Sequence, residues 1–222
     1  MSDIEIIITG DGSNSLFNKS LNETYHSTHG ALQESNHVFI KNGLHYFFEN
    51  NDVSQVNILE VGFGTGLNAL LTLQQAETLG RSIHYTTIET NPLGVDVWSQ
   101  LNYGSNDYQH DQFNRIHQAK WEKDESIDAN FTILKRKISL QYVELAGSNY
   151  HIIYYDAFAP NKQPSMWTVD VLSKVVETMA ERAVFVTYCA KGQLKRDLAS
   201  LGLRVETLQG PPGKKEMVRG IR

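Results

Sequence analysis

Leu59-Glu60-Val61-Gly62-Phe63-Gly64-Thr65-Gly66-Leu67-Asn68 is the most informative motif in this chain. An apolar run that begins at Val56 leads into three glycines at alternate positions, and a helical pattern follows at once. This order is typical of a strand, a tight turn and a helix N-terminus, where α/β folds receive nucleotide-like ligands. Glycine leaves no side chain between the backbone and a ligand and tolerates positive φ angles.

The spacing of the glycines indicates which ligand to expect. Position 67 is leucine, so the dinucleotide form Gly-x-Gly-x-x-Gly is absent and the motif favours S-adenosylmethionine (AdoMet) over NAD. Free backbone N–H groups and the positive end of the helix dipole would face the ligand. A glycine-rich turn without a ligand is the alternative. The residues that we expect at the cofactor from this motif are Glu60, Gly62, Phe63, Gly64, Gly66 and Asn68.

Composition sets limits on the class of protein. The chain has 222 residues, of which 41% are hydrophobic, and this fits one large domain or one domain with a small appendage. The formal net charge of −5 gives no support to non-specific nucleic-acid binding, although it leaves room for a local basic patch. The eight histidines show no metal-ligand spacing, so we predict no metal site.

Cysteine count and apolar runs bear on the compartment. Cys189 is the single cysteine, so the chain has no intrachain disulfide, and a reduced compartment is the simplest inference. No apolar run is long enough to span a bilayer, and the N-terminus lacks the basic region of a signal peptide. These features predict a cytoplasmic protein with no membrane association.

The order of strand and helix patterns predicts an α/β fold. Strands alternate with helices, which implies a largely parallel sheet covered on both faces. The last two strands, 203–209 and 216–221, are joined by a short loop and must pair antiparallel. We divide the chain into 1–36, an N-terminal hairpin with a substrate-side loop, and 37–222, a Rossmann-like domain.

Two further elements are predicted from local signals. Asn91 and Pro92 suit the start of a helix that runs to about residue 101. Residues 131–134 and 138–143 suit a strand pair around the basic run Lys135-Arg136-Lys137, whose side chains we expect in solvent.

Acidic residues close three of the predicted strands, at the sheet edge where ligands bind in open α/β folds. Glu89 ends the second core strand, one strand–helix–strand unit after the glycines, and is predicted to bind ribose hydroxyls rather than to be a solvated charge. Glu60 suits either the amino group of the methionine moiety of AdoMet or the backbone amides of the turn.

Asp156 is the residue that we expect to take part in the reaction. It ends a very apolar strand, and a carboxylate there can orient an amine nucleophile and take up its proton. Because the methyl donor would be close by, Asp156 is also expected at the cofactor. The alternative is a turn cap in Asp156-Ala157-Phe158-Ala159-Pro160, and spacing alone does not separate the two interpretations.

Phe158 and Trp167 are candidates to stack on a nucleobase, with a core role as the equal alternative. Basic residues near the C-terminus, Lys214 and Lys215 among them, could hold phosphates if they converge on the ligand face.

The sequence resembles the methyltransferase domain of MnmC, which completes 5-methylaminomethyl-2-thiouridine at the tRNA wobble position. The similarity is dispersed over nearly the whole chain. The similarity includes Glu23-Thr24-Tyr25-His26-Ser27 near the N-terminus. Its two most specific parts are Asp156-Ala157-Phe158-Ala159-Pro160-Asn161-Lys162-Gln163-Pro164-Ser165-Met166-Trp167 and Gly213-Lys214-Lys215-Glu216-Met217.

This resemblance implies a Rossmann-like, AdoMet-dependent methyltransferase that methylates the exocyclic amine of 5-aminomethyl-2-thiouridine in the tRNA anticodon loop. It implies that Asp156 lies beside the target amine. The residues expected on the substrate side of the pocket are Tyr25, Glu34, Phe158, Pro160, Lys162, Trp167, Lys214 and Lys215.

Two departures from the family accompany this resemblance. The full-length bacterial form carries an FAD-dependent oxidase domain, for which this chain has no room, so FAD is not expected. No acidic residue stands near Ser139, where many such methyltransferases recognise adenine, and backbone groups are expected to do so here.

Two other functions remain open at this point. One is an aminopropyltransferase of the spermidine-synthase type, which usually has two aspartates near the amine, whereas only Asp156 is evident here. The other is a non-catalytic binding module on a degenerate methyltransferase fold, which the retained Glu60, Glu89 and Asp156 disfavour.

Overall fold

The computed structural model describes residues 3–145, 147 and 149–222. The strands in these residues form one eight-stranded sheet and one small three-stranded sheet. Their bounds are β1 Ile4–Ile8, β2 Asn14–Asn18, β3 Glu23–Thr24, β4 Gln55–Val61, β5 Ser82–Ile88, β6 Asp124–Asp128, β7 Phe131–Arg136, β8 Tyr150–Tyr155, β9 Met179–Thr187, β10 Arg204–Gln209 and β11 Glu216–Ile221.

Helical segments separate most of the strands of the large sheet. Their bounds are α1 Ala31–Ser35, α2 Tyr46–Asn50, α3 Leu67–Leu79, α4 Val95–Trp98, α5 Asp107–Gln118, α6 Val169–Val176 and α7 Gly192–Ser200. A π-helical stretch, Asn36–His45, joins α1 to α2 in one continuous helical segment, and a 3₁₀ turn spans Pro164–Trp167.

The large sheet has the order β10-β11-β9-β8-β4-β5-β7-β6. Pairings among β7, β5, β4, β8 and β9 are parallel, whereas β11 runs antiparallel to both β9 and β10. The predicted α/β class, with a mostly parallel sheet and an antiparallel last strand, is therefore confirmed. Chain order proceeds from β4 outward in both directions, so the crevice for a ligand opens at the carboxyl ends of β4 and β8.

Two hydrophobic clusters cover the two faces of the sheet. Alternate residues of β4 divide between them, because successive side chains of a strand point to opposite faces: Ile58 packs in the first cluster and Leu59 in the second. The first cluster contains residues of the π-helical stretch and of α3, such as Phe39 and Leu70, and the second contains Leu172 of α6. Burial of both faces explains why these strands are apolar throughout.

Helix α3 begins and ends at the residues that the sequence predicts. Gly66 precedes it and Gly80 follows it, and both adopt left-handed backbone conformations. Gly80 is the predicted C-cap, where glycine avoids the steric cost of a Cβ atom. The helix thereby starts directly at the glycine turn after β4.

The N-terminal strands form their own sheet. Strand β1 pairs antiparallel with β2, which confirms the predicted hairpin, and β2 also pairs with β3. The division predicted between residues 36 and 37 falls inside the continuous helical segment that joins this sheet to β4. That division remains a prediction.

The helix predicted from Asn91 to about residue 101 is wrong in its bounds. Helix α4 covers only Val95–Trp98, and Gly94 precedes it. The backbone N–H groups of Thr90 and Asn91 donate to the Glu89 carboxylate at 2.7 and 2.8 Å. The chain after β5 therefore turns around this carboxylate before a helix can begin.

The predicted strand pair 131–134 and 138–143 is also wrong. Strand β7 pairs antiparallel with β6, and residues 138–143 form turns. Lys135 is not in solvent: it is 1% exposed, and its Nζ donates to the carbonyls of Ile116 and His117 at 2.9 and 2.7 Å. Because these are C-terminal carbonyls of α5, the ammonium satisfies acceptors that the helix itself leaves free.

Within the described parts of the chain, no helix combines the length and apolar character that crossing a membrane requires.

Candidate active site

A cleft of about 1110 Å³ opens at the carboxyl ends of β4, β5 and β8. The N-terminal segment forms its opposite wall. The sequence-predicted site residues that line it are Tyr25, Glu34, Gly62, Phe63, Gly64, Asn68, Glu89, Asp156, Phe158 and Lys214. Three separate parts of the chain thus meet at the edge of the sheet where open α/β folds bind their ligands.

Two glycines permit the close approach of loops at the base of the cleft. Gly62 has a φ of 96°, and a Cβ there would lie 2.6 Å from the backbone oxygen of Asp156. Gly64 has a φ of 50°, and a Cβ there would lie 3.2 Å from the ring of Tyr25. Because both positions combine positive φ with little room, any other residue would be strained and would displace the neighbouring segment.

Glu89 binds the glycine turn directly. Its Oε2 accepts from the Gly64 N–H at 3.1 Å, and its Oε1 accepts from two N–H groups after β5. Three backbone donors therefore fix the carboxylate at the cleft wall, where it is half-buried. Carboxylate oxygens held in this way keep lone pairs for the hydroxyl groups of a ligand.

Asp156 stands on the other side of Gly62. Its N–H donates to Val61 at 2.9 Å, and its Oδ2 accepts from the side-chain amide of Asn68 at 2.9 Å. Burial, followed by the nearby Glu34 carboxylate, raises the pKa of Asp156 to about 7, although Asn68 and Lys214 oppose the rise. A carboxyl group with such a pKa exchanges its proton close to neutral pH.

Glu60 lies beneath the cleft and does not line it. The residue is fully buried, and its Oε2 accepts from the Thr87 hydroxyl at 2.7 Å. Its Oε1 has no hydrogen-bond partner among the described residues. Burial raises the pKa of Glu60 to about 8, so the carboxyl group is mostly protonated at neutral pH.

Glu34 and Lys214 form an ion pair at the rim, with Nζ and Oε2 2.7 Å apart. The Lys214 ammonium also lies 3.7 Å from the centroid of the Tyr188 ring, a cation–π distance. The Tyr188 hydroxyl donates to the Ala157 carbonyl at 2.8 Å. This cluster connects the N-terminal segment to the loop that follows Asp156.

Aromatic residues form the upper wall of the cleft. The rings of Tyr25 and Phe158 meet edge to face with centroids 5.0 Å apart. Trp167 is buried, and its Nε1 donates to the Phe158 carbonyl at 2.8 Å, so it supports this wall from behind. Lys162 donates to the carbonyls of Leu21 and Asn22, which ties the N-terminal segment in place.

Some predicted site residues lie outside the cleft. Gly66 starts α3, and a Cβ there would meet His117 and Phe63. Pro160 and Lys215 line a neighbouring groove that also includes Lys214. The roles predicted for all the site residues remain proposals, because the geometry gives their positions and not their ligands.

A layer of supporting residues under the glycine turn was not predicted from the sequence. His117 Nε2 donates to the Thr65 carbonyl at 3.0 Å, and its ring stacks on Trp98. Burial lowers the pKa of His117 to about 3, so the ring is neutral. Lys135 lies 5.5 Å from the Phe63 ring centroid, and burial lowers its pKa to about 8. His117 lies in α5, for which no helix was predicted, and Lys135 was expected in solvent.

Tyr188 was missed as well. Its position just after the buried strand β9, at the same edge as Asp156, was a signal that could have identified it. No group of three or more histidine, cysteine, aspartate or glutamate side chains in the described ranges is arranged to hold a metal ion.

Comparison with known protein families identifies the class of this enzyme. Residues 104–222 match the model of a family described as S-adenosyl-L-methionine-dependent methyltransferase. The chain belongs to this family. S-adenosylmethionine is therefore the cofactor, as the glycine spacing predicts, and the protein is a methyltransferase rather than an aminopropyltransferase.

Similar proteins extend the match to most of the chain. A tRNA 5-methylaminomethyl-2-thiouridine biosynthesis bifunctional protein MnmC from Burkholderia multivorans is 26% identical over 92% of this chain, which spans 33% of that protein. The protein of the same name from Pseudomonas savastanoi is 26% identical over 91%, spanning 32%. The chain thus covers about a third of the length of these relatives. MNMC2 from Aquifex aeolicus shares the fold, with a TM-score of 0.81, 24% identity, and coverage of 99% of this chain and 70% of that one.

The residues of the cleft fit the cofactor. Gly62 and Gly64 line the cleft near the start of α3 and place no side chain between the backbone and a ligand. Glu89 offers carboxylate oxygens at the end of β5, within hydrogen-bond distance of Gly64. A carboxylate at this position of an α/β fold suits the two hydroxyl groups of a ribose.

Proposed function

We propose that this methyltransferase methylates the aminomethyl nitrogen of 5-aminomethyl-2-thiouridine at the wobble position of tRNA. The observation that carries the proposal is Asp156, a carboxyl group in the cleft wall whose pKa is raised to about 7 by burial. Such a group suits an amine nucleophile, which must lose a proton before it can attack. A tRNA substrate implies a cytoplasmic location.

The names of the similar proteins support the choice of substrate. The relatives from Burkholderia and Pseudomonas are described as acting in tRNA 5-methylaminomethyl-2-thiouridine biosynthesis. This chain corresponds to about a third of their length. Methyl transfer is the activity that agrees with the family match.

AdoMet supplies an electrophilic methyl group when it is bound. Asp156 accepts a proton from the substrate ammonium, and the neutral amine then has a free lone pair. Relative to an ordinary aspartate, a pKa of about 7 makes this carboxylate roughly a thousandfold stronger as a base. Asn68 holds its Oδ2 at 2.9 Å and so fixes the direction in which the carboxylate faces.

The remaining contribution of the chain is positioning. Tyr25 and Phe158 form an aromatic wall next to Asp156, which suits stacking on a pyrimidine. The ion pair between Glu34 and Lys214 joins two distant segments of the chain in the cleft wall. Holding the amine in line with the methyl group is a large part of catalysis in such a transfer.

The proposal is tested with tRNA purified from cells that make 5-aminomethyl-2-thiouridine but not its methylated form. We expect the protein and AdoMet to convert this nucleoside to 5-methylaminomethyl-2-thiouridine, a gain of one methyl group by mass spectrometry of the digested tRNA. Unmodified tRNA transcript is the matched control and should gain none.

Calorimetry with AdoMet accompanies this assay, because a preparation that binds no AdoMet could not test the substrate. Binding of AdoMet without methylation of either tRNA would retain the methyltransferase and exclude this substrate.

A further inference from the structure

A second groove of about 500 Å³ lies beside the cleft. Ala159, Tyr188 and Lys214 line both cavities, so the two share a wall. The groove is built by the segments that follow β8 and β9 and by the start of β11, at the same edge of the sheet as Asp156. A ligand that extends from the cleft past Tyr188 would therefore enter this groove.

The charge of the groove contrasts with that of the whole chain. Lys191, Lys214 and Lys215 line it in a protein whose net charge is −5. Lys191 and Lys215 are exposed, and no ion pair of either is found among the described residues. The carboxylate in the groove, Glu216, is bound to Lys195 at 2.8 Å. The groove thus presents two lysines that are free to bind an anion.

Lys214 lines both the cleft and the groove. Its ammonium is held between the Glu34 carboxylate, at 2.7 Å, and the face of the Tyr188 ring. Its charge is therefore already compensated on the cleft side. An anion in the groove would be bound mainly by Lys191 and Lys215, which approach from different loops.

We propose that this groove binds a phosphodiester of the RNA strand next to the nucleoside held in the cleft. The inference rests on the proposed function, because it requires that a nucleoside occupies the cleft. A polynucleotide supplies anions at fixed intervals along a strand that continues out of the cleft. Lysine contacts to phosphates position an RNA without reading its sequence.

Binding of unmodified tRNA transcript, measured by fluorescence anisotropy at several salt concentrations, tests the inference. The double variant Lys191→Ala with Lys215→Ala should weaken binding about tenfold at low salt. It should also reduce the slope of log Kd against log salt by about 1.4, because each lost single-strand phosphate contact removes about 0.7.

The matched control is the double variant Lys41→Ala with Lys120→Ala. Both lysines are exposed and line neither cavity. Because each double variant loses two lysines, the change in net charge is the same. This control should bind tRNA within about twofold of the wild type. Calorimetry should give all three proteins the same AdoMet affinity, which shows that the variants are folded.

Equal tRNA affinity of the groove variant and the control, in a protein that methylates tRNA, would overturn this inference and leave the proposed function intact. A wild-type protein that neither binds nor methylates tRNA would overturn both. A third outcome uses a polyglutamate peptide as the probe. If the wild type and the control bind this peptide, the groove variant does not, and all three bind tRNA equally, the groove binds an acidic protein segment and the proposal is contradicted.

Discussion

Glu89 and Asp156 both follow parallel strands at the same edge of the sheet, yet their surroundings differ. Glu89 accepts hydrogen bonds from three backbone N–H groups. Asp156 accepts one hydrogen bond, from Asn68, and burial raises its pKa to about 7. Two carboxylates on neighbouring loops are thus prepared for different tasks.

The difference shows how the fold assigns chemistry to similar residues. Three backbone donors fix the direction of the Glu89 carboxylate, which suits binding of ribose hydroxyls. A carboxyl group with one amide donor in a desolvated wall takes and releases a proton near neutral pH. Substitutions at the two residues should separate AdoMet binding at Glu89 from proton transfer at Asp156.

The largest effect is expected at Asp156. Asp156→Ala should lower the methyl-transfer rate by roughly 10²-fold or more, the scale of a lost proton acceptor, and keep AdoMet affinity within about tenfold. Single-turnover methylation of substrate tRNA and calorimetry with AdoMet measure the two quantities. Asp170→Ala, on the exposed side of α6, is the control. A full-rate Asp156→Ala variant would remove this residue from the mechanism.

The opposite division is expected at Glu89. Glu89→Ala should weaken AdoMet binding by about 1–3 kcal/mol, as for a hydrogen-bond acceptor that carries a charge. With saturating AdoMet the rate should recover, because Asp156 is untouched. Titration calorimetry measures the affinity, and Glu49→Ala, at an exposed position of α2, gives the baseline. Unchanged affinity would rule out the ribose role.

A smaller effect is expected at Asn68, which donates to Asp156 at 2.9 Å. Asn68→Ala removes a contact that holds the Asp156 pKa down, so that pKa should rise. The alkaline plateau of the rate should then begin at higher pH, and the rate at pH 7 should fall about tenfold, as for a hydrogen bond to a charged group. A pH–rate profile with the wild-type midpoint would show that Asn68 does not act through Asp156.

The last effect is expected in stability, at Glu60. The pKa of Glu60 is about 8 in the folded protein, whereas an ordinary glutamate has a pKa of 4.5. Between pH 4.5 and about pH 8, the folded state therefore holds a proton that the unfolded state has lost. The free energy of unfolding should therefore fall as pH rises through this interval. Asp156 acts in the same direction between 3.8 and about 7.

Glu60→Gln removes one of these two groups and should flatten the fall, with the largest gain over wild type above pH 8. Urea unfolding from pH 5 to pH 9 measures the difference, and exposed Glu49→Gln should reproduce the wild-type curve. Parallel plots of unfolding free energy against pH for wild type and Glu60→Gln would mean that Glu60 does not carry an extra proton in the folded state.

Predictability from sequence differed between the two halves of the site. The glycine turn and α3 were predicted because a local pattern specifies them: a buried strand, glycines at positive φ, and a helix with a glycine C-cap. The segment after β5 was wrongly predicted as a helix. Its Asn91-Pro92 signal is a sound local start, but hydrogen bonds to Glu89 hold the backbone in a turn.

Lys135 shows the same limit in another way. A run of three basic residues is usually solvated, and nothing local indicates that a helix end from 107–118 supplies carbonyls for one of them. The strand pair predicted around Lys135 is wrong because β7 pairs antiparallel with β6, which precedes it in the chain, and not with residues 138–143.

The sequence by itself determined the AdoMet-binding turn, the alternation of strands and helices, and the acids at the carboxyl ends of β4, β5 and β8, because periodicity and glycine spacing are local properties of the chain. Only the tertiary structure decided what each acid does. Glu60 is buried beneath the cleft, three backbone N–H groups donate to the Glu89 carboxylate, and desolvation raises the pKa of Asp156. Solvent exclusion and donor count depend on segments far apart in sequence, which no local pattern can specify.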